Sequence, residues 1–245
     1  MTKFKPMTEP EWLNSADSQR MLHFLWGEQR GARGAIVPLR VRGLPSTIKT
    51  TERKLRLFTC ACCRAIWPLL TDERSRRAVE TAERFADGIA TEEELRQADR
   101  LADDAWNELW GTRGKAAAQM AWYVSAPYSL ARNAVWGFDS AIVGPLSAVL
   151  LRDVFGNPFR PGPPRKKQAA RLWNTKLESW LAWNDSTVGR IAQAVYDERG
   201  FDRMPILADA LEDAGCSDPD ILDHCRQPGE HVRGCWVVDL LLGKE

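Results

Sequence analysis

Cys216, His224, Cys225, His231 and Cys235 gather thiols and imidazoles into the C-terminal stretch of the chain, and Cys60, Cys62 and Cys63 form a second knot. Only His23 stands outside the two groups. Thiolate and imidazole are the donors with which proteins hold zinc in a tetrahedron. Cys225, His231 and Cys235 have spacings that a compact turn folds around one ion, with Cys216, His224 or the 60–63 knot supplying the rest. The expected metal ligands are therefore Cys216, Cys225, His231 and Cys235, and the expected cofactor is a structural zinc.

Two other readings compete. Cys62 falls on an apolar helix face, and free cysteine is among the most buried residue types, so plain core packing explains the thiols as well. Cys60, Cys62 and Cys63 on one helix point in different directions, and no second Cys-x-x-Cys is there to pair with Cys60 and Cys63. A cysteine nucleophile needs a base within reach. His231 stands four residues before Cys235, whereas His224 and Cys225 are adjacent and point about 100° apart on a helix. There is no nucleotide loop, no nucleophile elbow and no metalloprotease helix, so no catalytic residue is assigned and a non-enzyme is favoured.

Acidic residues offer two further groups. Asp209, Glu212, Asp213, Asp218, Asp220 and Asp223 form a run that suits either a hard cation or the ends of helices. Asp239 sits inside the apolar run 236–242, and a buried carboxylate must find a partner. Arg233 and His231 are its nearest candidates in sequence.

Helical signals dominate the elements that must position these groups. Pro10 to Leu13 opens a short helix, and Ser18 is the expected cap of a helix to Trp26. Leu55, Phe58, Cys62, Ala65 and Ile66 repeat at helical spacing over 52–70. Asp72 to Asp87 follows, and then Thr91 with Glu94 forms a capping box for a helix toward Trp110. Lys115 to Val124 and 128–154 are further helical stretches, the second interrupted by Pro145. Later helices span 168–182, 186–199, 206–214 and a segment capped by Ser217. The tail 236–242 reads as helix or buried strand, with Gly243 favouring helix. Residues 27–50 lose periodicity among glycines, prolines and basic residues, and read as a loop with no hairpin signal. The tryptophan groups Trp106/Trp110 and Trp173/Trp180/Trp183 each share a helix face, which reads as interhelical packing. An irregular all-α array of about ten helices is the expected fold.

The expected organisation is an N-terminal helical region 1–154, a Pro/Gly-rich linker 155–167, and a C-terminal helical region 168–245. A chain of 245 residues with 44% hydrophobic and 27% charged residues buries a core without staples. The net charge of +1 disfavours nucleic acid as partner. Contact through Arg30, Arg33, Arg40, Arg42 and Lys49 is the alternative. No apolar run has the length of a membrane span and no signal peptide is read, so a cytoplasmic protein with reduced thiols is expected.

Several blocks resemble an uncharacterised paralogous family of planctomycete-type bacterial proteins. They are Glu9 to Leu13, Arg53 to Arg64 with its Cys-Ala-Cys-Cys, Leu70 to Arg76, Arg152 to Arg160, Ala192 to Arg199, and most of Phe201 to Lys244. The resemblance implies kinship and carries no activity. The functional expectation is a non-catalytic interaction or regulatory protein acting on a protein partner. Its alternative is a zinc-stabilised or zinc-dependent enzyme using the C-terminal Cys/His group.

Overall fold

The computed structural model describes residues 7–25, 28–30, 36–38, 51–109, 111–112, 114–126, 144–160 and 167–244. Among these the chain is an irregular α-helical array, as the apolar periodicity predicts. The helices are α1 (Glu9–Asn14), α2 (Ser18–Leu25), α3 (Glu52–Ala65), α4 (Glu73–Ala86), α5 (Glu92–Glu108) and α6 (Lys115–Ser125). They continue as α7 (Leu146–Phe155), α8 (Lys167–Glu198), α9 (Met204–Asp213), α10 (Pro219–Arg226) and α11 (Trp236–Leu242). One short hairpin, β1 (Glu28–Arg30) against β2 (Ile36–Pro38), pairs antiparallel with Gln29 opposite Val37. It lies in the stretch expected to be irregular. Strands of three residues are too short to show an alternation, so no periodic signal announces them. The expected helix over 128–143 lies outside the described residues.

The chain divides into two compact units, and the division falls inside α7, between Arg152 and Asp153. In the first unit α3, α4, α5 and α6 pack against one another. The starts of α3, α4 and α5 follow from side-chain capping. Thr51 Oγ1 accepts the Lys54 N–H, Asp72 accepts the Arg74 N–H, and Thr91 with Glu94 closes a capping box in both directions. The buried face of α3 carries Leu55, Phe58, Cys62 and, unusually, Arg56. That guanidinium donates to the carbonyls of Val124 at 2.7 Å and Ala126 at 3.0 Å and reaches Glu52 at 3.1 Å. It thereby satisfies carbonyls at the end of α6 that lack a helical partner. Arg152 does the same for α1, donating to the carbonyls of Trp12 and Ser15 at 3.0 Å each. Trp106 stacks on Trp122 with centroids 5.0 Å apart, so this tryptophan serves the contact between α5 and α6.

Asp17 rather than Ser18 begins α2, because its carboxylate accepts the Arg20 N–H at 2.9 Å. The analogous correction holds for α10, where Asp218, not Ser217, accepts from the second residue on, Asp220 N at 3.0 Å. In both cases two good capping types are adjacent, and the carboxylate takes the position.

The second unit is built on α8 to α11. Val188, Ala192, Val195 and Tyr196 of α8 meet Leu207, Ala208 and Leu211 of α9, Ile221 and Cys225 of α10, and Val237, Val238 and Leu241 of α11 in one apolar cluster. Trp173 and Trp180 pack edge to face, 6.2 Å between centroids, along the same cluster. Between Trp183 and Ser186 the helical backbone of α8 is broken: Asn184, Asp185 and Ser186 all have positive φ, at 45°, 54° and 61°. The break expected between the helices 168–182 and 186–199 is thus a left-handed turn. Residues from Phe155 to Pro158, read from sequence as the start of a linker, include buried Phe155, Gly156 and Pro158.

Candidate metal centre

Four side chains of the second unit meet in its interior. Asp153 comes from the last turn of α7. His224 comes from the last turn of α10, on the side that buries Ile221 and Cys225. His231 belongs to the segment that follows, and Cys235 is the residue immediately before α11. Gly234 has φ +94°, a conformation open to glycine, and this turn brings the Cys235 N–H to the Val232 carbonyl at 2.9 Å. All four residues are buried, with Asp153 at 3% exposure and Cys235 at 0%.

Their donor atoms converge. His231 Nδ1 lies 2.7 Å and His224 Nε2 3.2 Å from the same oxygen, Asp153 Oδ1. His224 Nε2 is also 3.2 Å from Cys235 Sγ, and His231 Nδ1 is 4.0 Å from it. All four donors lie within 4.8 Å of one another. Tetrahedral zinc, with bonds of about 2.0 Å to nitrogen and oxygen and about 2.3 Å to sulfur, spaces its donors by about 3.3 to 3.6 Å. The observed separations bracket that range.

The geometry distinguishes this cluster from a nucleophile relay. In a Cys-His-Asp relay the cysteine and the carboxylate engage opposite nitrogens of one imidazole. Here each histidine turns a single nitrogen to both the carboxylate and the sulfur. A nitrogen carries one proton or one lone pair, so two partners on the same nitrogen mark a shared centre rather than a line of transfer.

Charge points the same way. Burial pushes the Asp153 carboxyl up, but hydrogen bonds from His224 and His231, and their charge, outweigh it and hold the group below the usual carboxylate range. The Val232 N–H adds a bond at 2.9 Å to the second oxygen. Burial and the Asp153 charge push the Cys235 thiol well above its ordinary value, against N–H groups of Val238 and Val237 aimed at the sulfur. A bound cation would reverse that balance and take the thiolate. One carboxylate, one thiolate and two neutral imidazoles carry two negative charges, which neutralise a divalent ion in a buried site.

His231 and Cys235, expected as ligands, are therefore among the converging donors. Cys216 and Cys225 are buried in the adjoining apolar cluster and are not. Burial pushes the Cys225 thiol up to about 12. Cys60, Cys62 and Cys63 are buried on α3 in the first unit, and burial raises all three thiols. His231 pairs with Asp153 and not with Asp239. The acidic run is divided among helix-end work: Asp218 caps α10, while Asp209 and Glu212 bind Arg226 at 2.8 and 2.6 Å. Of the basic residues weighed for nucleic-acid contact, Arg33, Arg40, Arg42 and Lys49 lie outside the described residues, and Arg30 ends β1.

Asp153 is the donor that sequence reasoning missed. Its nearest partner in the chain is 71 positions away, so no local spacing marks it. The available signal was a lone carboxylate following Val149, Leu150 and Leu151 on an apolar helix, the same anomaly that singled out Asp239.

Fold and cluster together define a mostly α-helical protein with a buried four-donor group of the type that holds a metal ion. No protein-family model, curated protein or solved structure matches the chain. Among the described residues no helix is long and apolar enough to cross a membrane.

Proposed function

We propose that this chain is a non-catalytic helical protein whose C-terminal unit is held together by one structural zinc ion, and that it acts through its surfaces on a protein partner. The carrying observation is the convergence of Asp153, His224, His231 and Cys235 on one buried point. Four protein donors complete a tetrahedron and leave no position for a substrate or a reactive water, which is the arrangement of structural rather than catalytic zinc. Soft and borderline donors suit zinc and exclude a magnesium or calcium cage. Kinship with the planctomycete-type paralogous proteins remains part of this reading, on the blocks around Cys60 to Arg64 and Arg152 to Arg160.

The test is metal content by mass spectrometry on the full chain, purified without chelator or affinity metal, beside Asp153→Asn and Cys235→Ser variants. About one zinc per chain, lost in both variants, is the expected result. A wild-type chain without metal, even after incubation with zinc, overturns the proposal.

A further inference from the structure

Resting on the zinc reading, we propose that Gln227 is a positioning residue of the metal centre, which sets metal affinity by holding the ring of His224 in the ligating tautomer.

Gln227 follows α10 as its C-cap and leaves the helix with φ −62° and ψ 138°, its N–H still bonded to the Asp223 carbonyl at 2.8 Å. The backbone is thus fixed, and it places the side-chain amide 3.1 Å from His224 Nδ1. That nitrogen is the one turned away from the cluster, since Nε2 faces Asp153 and Cys235. An imidazole that ligates through Nε2, as the ring of His224 would, must carry its proton on Nδ1, where the proton needs an acceptor. Gln227 has both options on one group. With its NH₂ toward Nδ1 it donates, and the ring proton sits on Nε2, where it bonds Asp153 or Cys235. Turned by half a rotation it presents Oε1, accepts from Nδ1–H, and frees the Nε2 lone pair for the ion. The amide therefore has one orientation for each state of the centre.

Among the described residues the second histidine has no such partner. His231 Nε2 is buried with no hydrogen-bond acceptor or donor beside it. Among the described residues, outer-sphere tuning by a side chain accordingly falls on the His224 side. Gln227 itself is exposed, so replacing it removes nothing from the core.

Competition against a chromophoric chelator gives the zinc affinity of the full chain, and cobalt substitution gives the ligand-field spectrum of the site. Gln227→Ala is expected to weaken zinc binding by about 10- to 100-fold. Gln227→Glu, which keeps an acceptor and cannot donate when ionised, is expected to match or exceed the wild type. The thermal midpoint of metal-free Gln227→Ala should equal that of the metal-free wild type, and its cobalt bands should shift. Zinc uptake with equal affinity in Gln227→Ala and wild type overturns this inference and leaves the zinc reading standing. So does Gln227→Glu binding as weakly as Gln227→Ala. A wild-type chain that takes up neither ion overturns the zinc reading, and this inference with it.

Discussion

His231 Nδ1 lies 2.7 Å from Asp153 Oδ1, joining two buried side chains 78 positions apart in the chain. The contact secures the end of α7 to the segment between α10 and α11, all within the second unit. Asp153→Ala leaves two buried imidazoles without their common acceptor. Removing one member of such a buried group costs about 3–5 kcal/mol. Urea unfolding followed at the tryptophans of the second unit should show that loss, and zinc should no longer protect the variant.

Gly156 has φ +66°, and a Cβ there would stand 3.2 Å from Trp236 Cγ. Trp236 in turn lies 5.2 Å from the His224 ring. Gly156→Ala combines a left-handed backbone with an overpacked contact, each costing about 1–3 kcal/mol. The expected outcome is a less stable protein with altered near-ultraviolet circular dichroism and weaker zinc retention. An unchanged near-ultraviolet spectrum would show that the indole does not move.

The left-handed turn of α8 runs through Asn184, Asp185 and Ser186 without a glycine. Asn and Asp tolerate that conformation, whereas serine is the least suited of the three. Ser186→Gly relieves about 1–2 kcal/mol of backbone strain against a smaller entropic cost. Chemical denaturation should give a gain of about 0.5–1 kcal/mol. A loss would mean that the serine side chain contributes more than its backbone costs.

Arg56 is 1% exposed and bonds the Val124 and Ala126 carbonyls. Arg56→Met keeps the volume and leaves both carbonyls without that donor, at about 1–3 kcal/mol each. The midpoint of thermal unfolding should fall by several degrees. Amide exchange should rise first near the end of α6.

Glu11 closes the capping box of α1, accepting from the Thr8 N–H at 2.8 Å and pairing with Arg20 at 3.0 Å. The Thr8 N–H, then Arg20, lower its carboxyl from 4.5 to about 2. A depressed carboxyl contributes stability that is present above its unfolded value and is lost as pH falls through the folded one. The start of α1 should therefore stay closed at pH 4.5 and open toward pH 2. A carboxyl-carbon NMR titration of Glu11 checks this, and a midpoint near 4.5 would contradict the capping box.

Much of the architecture was legible in the residues. Leu55, Phe58 and Cys62 mark α3, Thr91 with Glu94 starts α5, and Gly243 at φ +64° ends α11. Each is a local decision, made by spacing of 3.6 residues or by one hydrogen bond to a nearby N–H. The choice of Asp17 over Ser18 and of Asp218 over Ser217 turned on which adjacent acceptor reached the N–H, which backbone geometry settles.

The candidate site divides in the same way. Clustering within twenty residues exposed His224, His231 and Cys235 to sequence reasoning, because a short loop confines its members to one neighbourhood. Tertiary structure alone decided that Asp153 joins them while Cys216 and Cys225 turn into the apolar cluster. Ligand choice depends on where side-chain atoms meet, and the fold of the second unit brings the Asp153 carboxylate, 71 positions before His224, to the point that two imidazoles and a thiol already share.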